Sequence, residues 1–142
     1  MSVRETALSA LHARLGATLA ARNPAPKVLR NETVPQRLPT GGRVVVRDGD
    51  TVEETPILSP LAWAIEHRAE GEVVAATGAL LDALLVDIAA VIASDRTLGG
   101  AVEWAQPGAP AFDDAETEGA AAARAASVSV TLSFTVAGSP LA

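Results

Sequence analysis

Side chains able to do chemistry are few in this chain, and they are scattered. It has two histidines, His12 and His67, with no spacing that would let them share a zinc ion. His67 follows Glu66, a pair that could act as acid and base only if both side chains entered one cleft. The densest carboxylate run is Asp113, Asp114, Glu116 and Glu118. Such oxygens can collect a divalent cation, but the glycine and ligand spacing of a calcium loop are missing. A solvated loop, or one facing a partner or a channel, is the expectation there. Gly41-Gly42 and Gly99-Gly100 lack the Gly-Lys-Ser/Thr that completes a phosphate loop, so both pairs read as turns. With no cysteine, thiol nucleophiles, thiolate metal sites and disulfides are excluded. The sequence thus offers no catalytic set, no metal site and no cofactor site.

Arginine supplies ten of the eleven basic residues. Arg30, Arg37, Arg43 and Arg47 gather around Pro35 and Pro39, where planar guanidinium groups suit paired contacts with carboxylates across an interface between subunits. The plainer alternative is a strand edge guarded by charge. The net charge of −6 divides unevenly: residues 1–50 carry +4 and residues 51–142 carry −10. An acidic balance opposes nonspecific grip on nucleic acid. Its uneven division would suit a protomer whose basic side meets the acidic side of the next copy.

The elements that must position these groups follow from periodicity. Ser2 and Glu5 have capping-box spacing, and Val3, Ala7, Leu8, Leu11, Leu15 and Leu19 make one helical stripe, ended by Asn23-Pro24-Ala25-Pro26. Lys27 to Val34 and Arg43 to Arg47 read as strands, with Asp48-Gly49-Asp50 as a hairpin turn. Two further strands are expected at Ala62–His67 and Glu72–Thr77, separated by a tight turn at Glu70-Gly71. Leu80, Leu81, Leu84, Leu85, Ile88, Val91 and Ile92 form the wider stripe of a second, more buried helix, which Thr97-Leu98-Gly99-Gly100 breaks. Ala101–Gln106 is a strand, Pro107–Gly119 an acidic loop, and Ala120–Ala126 low in complexity. Val128, Val130, Leu132, Phe134 and Val136 alternate with Ser and Thr in the clearest strand of the chain.

Helix, strands, helix and strands make an α+β two-layer domain, with two helices packed on a mostly antiparallel β-sheet. One domain spanning 1–142 is expected, since no linker or repeat divides the chain. Of its 142 residues 49% are hydrophobic, yet 30 are alanine and only 3% aromatic, so the core must rest on Leu, Val and Ile. So light a core suggests a subunit that leans on its neighbours. No apolar run reaches the roughly 18 residues of a membrane span, and Arg4, Glu5 and Thr6 do not open a signal peptide. A soluble protein is expected.

Taken whole, the sequence resembles the tail terminator (tail completion) proteins of long-tailed phages and of related gene transfer agents. The likeness runs through the Arg4–Leu15 helix pattern, Arg30-Asn31-Glu32 with Val34-Pro35, and Val45-Val46-Arg47-Asp48-Gly49. Its strongest part is Ile88 to Gly100, ending in Asp95-Arg96-Thr97-Leu98-Gly99-Gly100, followed by the acidic loop and the alternating last strand. The resemblance implies a structural virion protein at the head–tail junction, assembled in the host cytoplasm, and not an enzyme. It implies a homo-hexameric ring that caps the tail tube, stops its growth and meets the head-completion (stopper) protein. DNA would pass through the lumen unbound. On that reading Arg30 to Arg47 contact a neighbouring protomer, and Asp113 to Glu118 face the lumen or an axial partner. The rival readings are a head–tail connector or stopper, a small α+β enzyme using Glu66, His67 or the acidic loop, and a regulatory ligand-binding dimer.

Overall fold

The computed structural model describes residues 1–34, 37–115 and 123–142. Among these, the chain forms α1 (Val3–Leu19), β1 (Lys27–Arg30), β2 (Arg43–Leu58), β3 (Leu61–Ala75), α2 (Gly78–Ser94), β4 (Trp104–Pro107), β5 (Ala111–Ala115) and β6 (Ala123–Ala137). The sheet order is β1-β2-β3-β6-β4, with β5 beside β4 on the same flank of β6. All pairings are antiparallel except β1 with β2. This is the expected α+β arrangement, two helices on a mostly antiparallel sheet.

Both helices start at side-chain caps. The Ser2 hydroxyl accepts the Glu5 N–H at 3.1 Å, and the Thr77 hydroxyl accepts the Leu80 N–H at 3.2 Å. The return bond of a capping box is not made, because the Glu5 carboxylate turns to Arg30 instead. Each helix buries five apolar residues, so α2 is not the more deeply set of the two. Ion pairs Arg22–Asp87 and Arg14–Asp95 join the α1 side to α2 and to the turn that follows it.

The core lies between the helix pair and one sheet face. Leu8, Leu11, Leu15 and Leu19 meet Leu84, Ile88 and Ile92 above Val130, Leu132, Phe134 and Val136. Strand alternation puts Ser127, Ser129, Thr131, Ser133 and Thr135 on the opposite face, which no element covers among the described residues.

The middle of the chain departs from the sequence reading. Asp48-Gly49-Asp50 is not a turn. It is a bulge inside β2, where the register slips between Arg47 and Asp50, and Gly49 takes φ +65°. Glu70-Gly71 is not a turn either: Gly71 sits mid-sheet, paired with Val46 on one side and Val128 on the other. The two expected strands are therefore one, β3, and the reversal falls at Ser59-Pro60. β1 runs parallel to β2, so the segment between them is a crossover and not a hairpin. β1 stops at Arg30, and β4 begins only at Trp104, since Thr97 to Glu103 form turns. The acidic segment contains β5, which pairs with the start of β6.

These differences create an arm. After the bulge, and a second irregularity between Thr51 and Glu53, β2 continues to Leu58 against β3. β1 pairs no further than Val46, so among the described residues no strand lies beside the outer edge of residues 50–58, and all nine are exposed.

Candidate functional site

Three of the four arginines divide between the two faces of the sheet. Arg30 pairs with Val46, whose side chain is in the core under the helices. It therefore points toward α1. There its guanidinium donates to both Glu5 carboxylate oxygens at 2.6 and 2.8 Å and, through Nε, to Asp48 at 3.0 Å. Ser9 completes the group, donating to Glu5 Oε1 at 3.0 Å. The Arg30 bonds, with help from the Ser9 hydroxyl, hold the Glu5 carboxyl down to about 2. The bond to Glu5 in turn raises the pKa of Arg30, more than partial burial lowers it. Arg30 is thus a clamp tying α1 to β1 and β2 within one protomer.

Arg43 and Arg47 lie on the opposite face, since they flank Val44 and Val46 in β2. Both approach Glu72, at 3.8 and 3.5 Å, and Arg47 also donates to the Glu32 carbonyl at 2.9 Å. With Thr33 and Val34 these residues line a shallow depression of about 210 Å³. Two guanidinium groups there face the carboxylates Glu32 and Glu72, so the depression is close to neutral and ill suited to an anion. Arg37 is exposed in the crossover, apart from the other three.

Glu66 and His67 do not converge. As neighbours in β3 they take opposite faces: Glu66 is exposed, while His67 is 3% exposed on the core side. His67 Nε2 contacts the Asp48 carbonyl and Nδ1 lies 3.2 Å from the Thr51 hydroxyl. A neutral ring with its proton on Nε2 satisfies both, donating to the carbonyl and accepting from the hydroxyl. The histidine fastens β3 to the bulge. His12 is half-buried on α1, its Nε2 out of solvent and without a hydrogen-bond partner among the described residues.

Asp113 and Asp114 lie in β5, in register with Ala125 and Arg124. Glu116 and Glu118 lie outside the described residues. Glu66 instead joins two carboxylates that escaped the sequence reading: with Glu53 and Glu103 it borders a shallow depression of about 170 Å³ on the open sheet face. They come from β2, β3 and the turn before β4, so only the sheet register brings them together. Among the described residues no trio of His, Asp or Glu is arranged to hold a metal ion, and no helix is long and apolar enough to cross a membrane.

The Asp95–Gly100 segment, singled out by its resemblance, has a structural explanation. Asp95 Oδ1 accepts from the Thr97 N–H at 3.0 Å and its hydroxyl at 2.7 Å, while Oδ2 accepts from the Gly99 N–H at 2.8 Å. These bonds, with Arg14 at 2.8 Å, lower the Asp95 pKa. The turn holds Leu98 at φ +50°, 3% exposed, and directs the chain into β4. At that edge the Arg96 guanidinium lies 5.2 Å over the Trp104 ring and donates to the Ala105 carbonyl and Gln106 Oε1, both at 3.1 Å.

Among the described residues, large apolar side chains project where no element covers them: Ile57, Leu58 (79% exposed) and Leu61 at the arm tip, and Trp104 (51%) and Phe112 (67%) at the far edge. Compared with models of protein families and with curated proteins, the chain matches none.

Proposed function

We propose that this protein is a tail terminator, a ring-forming structural subunit that caps a tail tube, ends its growth and presents a surface to the head-completion protein. The observation that carries this reading is the β2–β3 arm: a two-stranded projection with a bare outer edge and an apolar tip at Ile57, Leu58 and Leu61. An isolated chain gains nothing by holding such a strand in water, whereas a subunit that assembles can bury it. The sequence resemblance along nearly the whole chain supports the same role. So does the open sheet face, where Glu53, Glu66 and Glu103 would keep phosphates from adhering to a surface that DNA passes. On this reading six copies form the ring, and the protein resides at the head–tail junction.

The test is deletion of this chain from a particle-producing genome, with electron microscopy of the products. A terminator's loss gives tails of uncontrolled length that carry no heads. Tails of normal length that fail to join heads would transfer the proposal to the stopper role. Normal particles would refute both.

A further inference from the structure

We propose that the arm of one copy docks on the β4–β5 edge of a second copy, a contact between unlike surfaces. It rests on the terminator reading only for the number of copies that close the ring. The outer strand of the arm carries Asp50, Glu53 and Glu54, none of which has an ion-pair partner among the described residues, and ends in the apolar group Ile57, Leu58 and Leu61. The far edge carries Glu103 and Asp113 but also offers a cation and aromatic rings to match the arm. Arg96 lies over Trp104, hydrogen-bonded to neutral oxygens and to no carboxylate among the described residues, and Phe112 stands exposed on the adjacent strand.

The alternative, pairing of two arm edges about a two-fold axis, would set the acidic strands Asp50–Glu54 of two copies side by side. Like charges facing across a strand pair oppose that arrangement. Docking the arm on the opposite edge instead joins acid to guanidinium and apolar tip to aromatic rings. Because the two surfaces lie on opposite sides of the sheet, the contact leaves one of each free for the next copy. Such contacts propagate and close into a ring when the rotation permits.

The absence of cysteine makes the test direct. Glu54→Cys and Gln106→Cys variants, singly and combined in one chain, are treated with a bis-maleimide cross-linker and sized by denaturing electrophoresis. The double variant is expected to give a ladder of multiple copies, and each single variant a monomer. Efficient cross-linking of Glu54→Cys alone would establish the two-fold arrangement and overturn the proposal. So would a double variant that stays monomeric while the unmodified chain sediments as an oligomer, or an unmodified chain that is monomeric at every concentration. A second set uses charge: Glu53→Lys/Glu54→Lys and Arg96→Glu each abolish the oligomer, and the triple variant recovers it. Failure of the triple variant to recover, with a melting curve like the parent's, counts against the contact. These outcomes are read on the purified protein and the terminator reading on tail length in particles that lack the chain, so failure of this interface and failure of the terminator reading are read separately.

Discussion

Replacing Gly49 by alanine should be costly, because two penalties coincide there. The residue sits at φ +65°, where an L side chain costs about 1–2 kcal/mol. A Cβ would also overlap the carbonyl oxygen of Arg68 and stand 2.9 Å from its carbon. Both obstacles are backbone of the neighbouring strand, so no side chain can swing away. β3 must shift instead, and the His67 contact with the Asp48 carbonyl lies in its path. Weakening that hydrogen bond adds about 1 kcal/mol.

With the φ penalty at its upper end, the sum is roughly 3 kcal/mol. An unfolding entropy near 2.1 cal/mol/K per residue over 142 residues makes each kcal/mol worth about 3 °C, so Tm should fall by about 10 °C in calorimetry. Gly49→Asn separates the two causes. Asparagine tolerates positive φ but carries the same Cβ, so it should melt within about 3 °C of the alanine variant if overlap dominates. Gly16, inside α1 with nothing within 4 Å of a Cβ, supplies the opposite sign: Gly16→Ala should raise Tm by about 3 °C. A Gly49→Ala protein melting within 3 °C of the parent would refute the account of the bulge.

Acid should loosen the clamp on α1. The Glu5 carboxyl titrates near 2 in the folded chain against an ordinary 4.5, so its contribution is complete above 4.5 and lost as pH falls from 4.5 toward 2. Arg30→Gln should flatten that part of the stability–pH curve from denaturant melts; an unchanged slope would remove Arg30 as the cause. Asp95→Asn keeps an acceptor for Thr97 but puts an N–H₂ where Gly99 donates, so amide exchange should quicken at Gly99 much more than at Thr97. His67→Leu should cost about 2 kcal/mol in urea, since it strips the Asp48 carbonyl of its partner inside the sheet.

The helices and β6 were legible because burial on one face imposes a period, and the residues obey it. Leu11, Leu15 and Leu19 repeat every fourth position, and Val128 to Val136 every second. The arm was not legible for the converse reason: residues 50–58 are exposed throughout, so no alternation marks them as strand. The turn signals misled because their chemistry is shared. Glycine at positive φ serves a bulge as well as a hairpin, and Asp48-Gly49-Asp50 does not reveal which. β5 was hidden by its aspartates, poor strand formers that are held there by pairing with β6. Asp95 did leave a trace, an Asp followed two residues later by Thr and four later by Gly, the spacing of a side chain that caps its own turn.

The division of charge along the chain also changes meaning in three dimensions. The surplus of arginine in the first third looks like a surface reserved for another molecule, yet much of it is spent within the protomer. Arg14 and Arg22 reach Asp95 and Asp87, Arg30 reaches Glu5 and Asp48, and Arg43 and Arg47 approach Glu72. Three of those partners, Glu72, Asp87 and Asp95, belong to the acidic remainder, so the opposite signs of the two segments help hold the α1 and β2 regions to the rest of the fold. On the arm and the open face, what survives is mainly acid: Asp50, Glu53 and Glu54 beside Arg68 on the arm, with Glu66 and Glu103 on the face. Within the arm Arg68, in register with Asp50, faces three carboxylates and cannot balance Glu53 and Glu54 as well. Arg96, held against Trp104 at the opposite edge, can. With Arg14, Arg22, Arg30, Arg43 and Arg47 engaged within the protomer, Arg96 stands at the edge opposite the arm with no carboxylate partner among the described residues, free to take one from a second copy.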